Sequence, residues 1–351
     1  CLPYAYRWRR QVKQFGAFAI VLSLLFAFLG HASAQGASEY YKDKQIRMIV
    51  GHPVGNDYDL GGRFLAKYLS KHIPGQPTIV VSNMPAASSV AAANFLYSQA
   101  PADGTVFGSF SRNIPSQALI GRANLNVDPR KYNWLGGTAL PGRVCAAWHT
   151  SKVRAPADLL KQELIVAGGG AGTSLSIVPT VFNHVLGTKF RVVEGYKGTT
   201  DAVLAMERGE VEGVCATYGQ FRVYEKLIKE GKLRFILRAE ESPIAAIPEV
   251  PSIYDLAKTD EQRQLMRFVF SSVEFGRPYV LPPDSPPELV ALMRKAFADA
   301  VKDPELIAEA ARLKLDMTYR PPGDLMKLVD NLYKTPPSVI DRIKKLVPNI
   351  K

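Results

Sequence analysis

Short apolar runs alternate along this chain with longer segments whose apolar positions recur every third or fourth residue, the two periods of buried strands and one-sided helices. Ile46–Val50 reads as a strand that breaks at a short loop. A helix follows with Leu60, Phe64, Leu65, Tyr68, Leu69 and Ile73 on one face. Thr78–Val81 is a second strand, running into "SNMPAASSVAAANFLYSQA", and Thr105–Phe107 a third, running into "GSFSRN". After a middle stretch the theme restarts. Glu163–Ala167 leads through "GGGAGTS" into a helix that Gly187 stops, with Pro179 placed within about its first turn, where few backbone donors are needed. Phe190–Val193 leads through "EGYKGTTD" into a helix stopped by Gly209, and Val211–Ala216 is the next strand. The tail is helical, with Pro286 and Pro287 suited to a helix start. Two sets of strand–loop–helix units predict an α/β chain of two lobes, each built on a mainly parallel sheet flanked by helices.

The first 34 residues stand outside this pattern. Arg7, Arg9, Arg10 and Lys13 precede an apolar run over Phe15–Leu29, and Ala32-Ser33-Ala34 supplies the small residues of a cleavage site. A membrane anchor is the alternative, but the run is short of the ~20 residues a span needs. Residues 1–34 are therefore read as a cleaved signal peptide, with the mature chain starting at Gln35 in the periplasm. The chain has 351 residues, a length that suggests two domains. Loss of the four leader charges takes the net charge from +12 to +8, a surplus that favours anions in general. No basic cluster interleaved with aromatics is present, so a nucleic-acid partner is not expected. Cys145 and Cys215 cannot by themselves form a metal site, and no CxxC or HExxH occurs. They are read as small buried residues, and no cofactor or metal is expected.

Ligands of open α/β sheets lie beyond the carboxyl ends of the strands, where the small, hydroxyl-bearing loops of both lobes fall. Free backbone N–H groups and helix N-termini there favour an anion. Asp59 stands where an N-cap belongs, and Thr173, Ser174, Ser176, Thr199 or Thr200 could cap the helices of the second lobe. Catalysis finds little support. No GxSxG elbow or Walker lysine exists, and Gly168, Gly170 and Gly172 do not match the dinucleotide fingerprint. His52 and His149 lie near strand ends without a nucleophile that the sequence pairs with either, and a lone histidine is more often a surface or core residue.

Taken in order, these stretches resemble the substrate-binding proteins of tripartite tricarboxylate transporters, also called the Bordetella uptake gene family. The opening Pro53-Val54-Gly55-Asn56-Asp57-Tyr58-Asp59 with "LGGRFLAKYLS", then "NMPAASS", "PADGTVF", "GGGAGTS", "YKGTTDAVLAMERGEVEG", "IPEVPS" and "GRPYVLPPDSPPELVALMRKAF" carry the likeness across the mature chain. The resemblance implies a two-lobed periplasmic-binding-protein fold of type II-like form, with the ligand cleft between the lobes. Residues 35–138 and 275–351 would form a discontinuous first lobe and 139–274 the second, the chain crossing near Trp134–Leu140 and Phe268–Arg277. It implies a monomeric, non-enzymatic receptor that closes on a small organic acid and delivers it to integral-membrane permease subunits. A sensor feeding a signalling partner is the alternative, and a hydrolase a remoter one. The fold would also bring Cys145 beside Cys215, so a cross-strand disulfide is conceivable in an oxidising compartment, but the reading stays with two reduced thiols.

For the site, Val54, Gly55, Asn56, Asp57 and Tyr58, with Ala87, Ser88, Ser89 and Ser111, are expected to hold one polar end of the ligand through backbone donors, Asp59 keeping the opening loop in shape. Gly172, Thr173 and Ser174, with Tyr196, Lys197, Gly198 and Thr199, would close from the other lobe, Lys197 offering charge. The family's loops are richer in glycine than Gly55-Asn56-Asp57 and Ala86–Ser89, and added β-carbons narrow a ligand's approach to the backbone. Asp57 leaves two alternatives. Facing the cleft, it repels a second carboxylate; turned outward, it leaves the dicarboxylate reading intact.

Overall fold

A computed structural model describes residues 40–346, apart from 140, 141, 171, 172, 242 and 314. The expected signal peptide over 1–34, and Gly172 of the expected site, therefore lie outside the described residues. Among those residues no helix is long and apolar enough to cross a membrane.

The first sheet collects β1 (Gln45–Val50), β2 (Thr78–Asn83), β3 (Val106–Ser109), β4 (Asn133–Ala139), β10 (Arg277–Leu281) and β11 (Thr318–Arg320), in the order β11-β4-β10-β3-β1-β2. The second collects β5 (Arg143–Trp148), β6 (Leu164–Gly168), β7 (Phe190–Glu194), β8 (Gly213–Thr217) and β9 (Leu233–Arg238), in the order β7-β6-β8-β5-β9. Helices α1 (Asp57–His72), α2 (Val90–Ser98) and α3 (Ile114–Leu119) belong to the first unit, α4 (Ser174–Leu186) and α5 (Thr199–Glu207) to the second. Then come α6 (Asp260–Phe275), α7 (Pro287–Ala300), α8 (Pro304–Leu313), α9 (Pro322–Tyr333) and α10 (Pro337–Leu346). Two-lobed α/β architecture is thus present, but both sheets are mixed. β2-β1-β3 and β7-β6-β8 are parallel; β4, β10 and β11 run antiparallel to their neighbours, as do β5 and β9. Direction of travel explains this. β4 leaves the first sheet and β10 re-enters it, while β5 enters the second and β9 leaves it, so each adjacent pair must point opposite ways.

Local signals account for the boundaries. Gly187 closes α4 at φ +74°, in the left-handed region that a glycine C-cap supplies, and Pro287 opens α7. Pro179 departs from expectation by lying in the second turn of α4, where its ring removes an amide that would bond within the helix. Leu60 also departs. It falls on the apolar helical spacing yet is 50% exposed, because it belongs to the first turn of α1, beyond the edge of the packed face.

Helix α6 joins the two cores. A capping box starts it, Thr259 Oγ1 accepting from Gln262 N and Gln262 Oε1 accepting from Thr259 N, both at 3.2 Å. Phe270 meets Phe182 of α4 at a ring separation of 5.2 Å, and Phe275 meets Trp134 of β4 at 5.6 Å, so one apolar cluster runs from the first sheet through α6 into the second. A second cluster packs α1 and α7 against the far face of the first sheet, and a third packs α5 against the second.

The cysteine expectation is overturned. Cys145 on β5 lies directly opposite Cys215 on β8, with Cα atoms 4.0 Å apart, and the two form a disulfide. The antiparallel register makes the pair, and that register is a tertiary outcome that residues 70 apart in sequence do not announce.

Candidate functional site

The opening loop is built around a buried carboxylate. Asn56, not Asp59, is the N-cap of α1, its side chain accepting from Tyr58 N at 2.9 Å. Asp59 sits a turn inside, 1% exposed, and reaches back to accept from Gly55 N at 2.9 Å. Its other oxygen accepts from Arg63 Nε at 2.9 Å and Asn83 Nδ2 at 2.8 Å. Burial works against ionisation there, but the hydrogen bonds from Arg63, Gly55 and Asn83 outweigh it and hold the carboxyl below its ordinary range. Gly55, at φ +82°, makes the turn that lets its N–H point inward. Val54 is left 73% exposed at the tip.

Tyr58 ties this loop to two other segments. Its ring stacks on His52 at 3.9 Å, its hydroxyl donates to Gly276 O at 3.3 Å, and it accepts from Arg112 N at 3.2 Å. Gly276 precedes β10, so the loop is pinned to the return crossing. Burial pushes the Tyr58 phenol up and His52 down. Asp57 is exposed at the start of α1; its carbonyl accepts from Arg277 Nη1 at 3.3 Å, and its charge is felt by His52 and Tyr58.

Ala87, Ser88 and Ser89 all adopt left-handed backbone, at φ 50°, 55° and 76°, a conformation costing roughly 1 kcal/mol or more per β-carbon. Ser89 offsets part of this by donating from Oγ to Gly51 O at 2.6 Å, and a β-carbon on Gly51 would fall 2.6 Å from Ser89 Oγ. Ala87 and Ser88 stay exposed, and Ser111 Oγ accepts from Asn113 N at 3.3 Å.

In the second unit the loop donors are occupied internally. Gly170 N donates to Glu194 Oε2 at 2.6 Å, Ser176 Oγ donates to the same oxygen at 2.8 Å, and Gly169 N donates to Ser176 Oγ at 3.1 Å. Thr173 is the N-cap residue of α4, but its hydroxyl turns back to Gly170 O at 2.9 Å instead of capping; Ser174 opens the helix. Tyr196 N donates to Gly168 O, and Lys197 N to Asp201 Oδ2 at 3.2 Å, leaving the Lys197 side chain exposed. Gly198, not Thr199, is the N-cap of α5. Thr199 is buried and donates from its hydroxyl to Gln220 Oε1 at 2.9 Å.

A cavity of about 650 Å³ lies between the two units, bounded by α3, α4 and α6. None of the residues nominated from sequence lines it. It lies beside their loops, with Arg112 following Ser111 and Ser176 following the start of α4. Arg112 from the first unit and Arg143 at the head of β5 both line it. Among the described residues neither guanidinium has a hydrogen-bond acceptor or a carboxylate ion-pair partner. Burial, and then the like charge of Arg112, lower the Arg143 guanidinium to about 10, against the opposing pull of Glu240. Glu240 is itself buried, accepts from Arg143 N at 2.6 Å, and is pushed up to about 7 chiefly by that burial. Arg112, Arg143, Glu194 and Glu240 were missed as site residues. Arg112 and Glu194 did stand in the quoted stretches "GSFSRN" and "EGYKGTTD" at strand carboxyl ends, which was the available signal. Among the described residues no cluster of metal-binding side chains occurs.

Comparison with known proteins agrees with this architecture. The UPF0065 protein in the gbd 5′ region of Cupriavidus necator is 26% identical over 327 residues, covering 90% of this chain and 93% of its own. The crystal structure of a TctC solute binding protein from Polaromonas, without ligand, matches with a TM-score of 0.66 at 18% identity, over 88% of this chain and 99% of that one. MatC from Rhodopseudomonas palustris, with bound malate, matches with a TM-score of 0.51 at 18% identity, over 87% of this chain and 99% of that one. These likenesses show the fold. Residues 155–345 match the model of the tripartite tricarboxylate transporter family receptor, and the chain belongs to that family.

Proposed function

We propose that this receptor captures a small organic acid in the cleft between its lobes and delivers it, in the periplasm, to the membrane permease of a tripartite transporter. The carrying observation is the pair Arg112 and Arg143, one from each unit, lining a shared cavity with neither guanidinium in an ion pair or hydrogen bond among the described residues. Burial first, and then the like charge of Arg112, disfavour the charged Arg143, and a carboxylate placed between the two guanidiniums relieves that cost with charge-assisted hydrogen bonds. That such a protein as MatC is described with bound malate supports the ligand class. The lobes divide in this reading as 35–138 with 275–351, and 139–274. In this reading the polar loops beside the cavity, at Val54–Tyr58, Ala87–Ser89, Ser111, Thr173–Ser174 and Tyr196–Thr199, close over the ligand. The chain then acts as a monomeric receptor and not as a catalyst, as the receptor family it belongs to supports.

A thermal-shift screen of the mature chain against mono-, di- and tricarboxylates tests this. A ligand at a hundred times its dissociation constant adds about 2.7 kcal/mol, a shift of several degrees at this size. Arg143→Met should weaken that ligand about tenfold or more with little change in the unliganded melting temperature. Absence of any carboxylate response in the folded wild type would refute the reading.

A further inference from the structure

The lining of the cavity carries both signs of charge, two arginines and the carboxylate of Glu194. Glu194, at the carboxyl end of β7, lines the cavity together with both arginines. Its Oε2 already takes Gly170 N and the Ser176 hydroxyl, while Gly169 N is taken by Ser176 Oγ. Its Oε1 has no hydrogen bond among the described residues and remains an open acceptor. An incoming carboxylate at Glu194 would meet occupied amides and a negative charge. A hydroxyl or amino group would meet a vacant acceptor. The lining also includes an apolar set, Ile177 and Val181 on α4 and Leu265, Phe268 and Val269 on α6, beside polar groups such as Thr180 and His184.

Resting on the receptor reading above, we propose that Glu194 is a specificity-determining residue. The pocket takes a monocarboxylate whose carboxylate lies between Arg112 and Arg143 and whose apolar body lies along α4 and α6. Its far end donates a hydrogen bond to Glu194 Oε1. Repulsion at Glu194 discriminates against dicarboxylates of the same length, the repulsive element that specificity between close analogues requires.

Calorimetric titration of the full mature chain with two length-matched pairs tests this: 6-aminohexanoate against adipate, and 4-hydroxybenzoate against terephthalate. Wild type should prefer the first member of a pair by about tenfold or more, the scale of one unscreened charge contact in a partly solvated site. Glu194→Gln keeps an amide oxygen for Gly170 N and Ser176 but removes the charge, and should bring the preference within about threefold. Arg143→Met should weaken both members of a pair alike, leaving their ratio unchanged. Equal or tighter dicarboxylate binding by wild type, or an unchanged ratio in Glu194→Gln, overturns the role of Glu194 and leaves the carboxylate receptor standing. Failure of these probes and of every other carboxylate to bind folded wild type overturns both.

Discussion

The loops that open α1 and α4 use the same device and place it differently. Each folds back so that a backbone N–H donates to a side-chain carboxylate: Gly55 to Asp59 in the first unit, Gly170 to Glu194 in the second. Asp59 is 1% exposed, enclosed by Arg63 and Asn83, and its charge is spent within the protein. Glu194 is exposed on the cavity wall, with one oxygen unused. A buried carboxylate with a full set of donors is a structural knot. An exposed one with a free oxygen is available to a ligand, so one motif serves architecture in one lobe and, in our proposal, selection in the other.

The largest test concerns what holds the second unit apart from its loop. The Cys145–Cys215 disulfide staples β5 to β8, and no disulfide is present in the first unit among the described residues. The double variant Cys145→Ala/Cys215→Ala should lose about 4 kcal/mol, from the loop of 70 residues that the bond closes. Titration of the denatured, unreduced chain should find no free thiol from this pair. Two free thiols, or unchanged melting in the double variant, would remove the staple and make the lobes alike.

A third carboxylate, at the junction of the units, extends the contrast to burial without enough donors. Glu240 is buried, one of its oxygens has no partner among the described residues, and its carboxyl is raised from 4.5 to about 7. Between those values the folded chain keeps a proton that the unfolded chain has released. Stability should therefore fall as pH rises through that window, by about 3 kcal/mol, and level off above it. Denaturant titrations at several pH values should show this slope, and Glu240→Gln should flatten it. Asp59 has the opposite sign: its lowered carboxyl contributes stability at neutral pH that is lost on acidification through its folded value.

Asp59→Ala comes next, leaving Gly55 N without its acceptor and Asn83 Nδ2 with His52 O alone, at a cost of about 2 kcal/mol. Ligand binding should weaken with it as the loop loosens, whatever the ligand. Glu194→Gln should be smallest, within about 0.5 kcal/mol in the unliganded chain, because the side chain is exposed and an acceptor is retained. Equal destabilisation by Asp59→Ala and Glu194→Gln, measured by chemical unfolding, would erase the distinction between knot and selector.

What the sequence by itself determined is what short-range chemistry can write. Strand runs, one-sided helices, the glycine stop at Gly187, the proline start at Pro287 and the order of the small-residue loops all act over a few residues, and all are present in the structure. Errors of local reading were of a position or a turn. Asn56 took the cap that Asp59 was expected to hold, because the loop is closed by a carboxylate reaching back from inside the helix. Everything that converges from distant segments was decided by the tertiary structure. The register of β5 on β8 joined Cys145 to Cys215, and the crossings made both sheets mixed. Packing of α3, α4 and α6 put Arg112, Arg143 and Glu194 around one cavity. Glu240 gained its raised carboxyl only from the walls that close over it. A charge in a sequence carries no record of its burial or of its neighbours in space, and those two quantities set what it does.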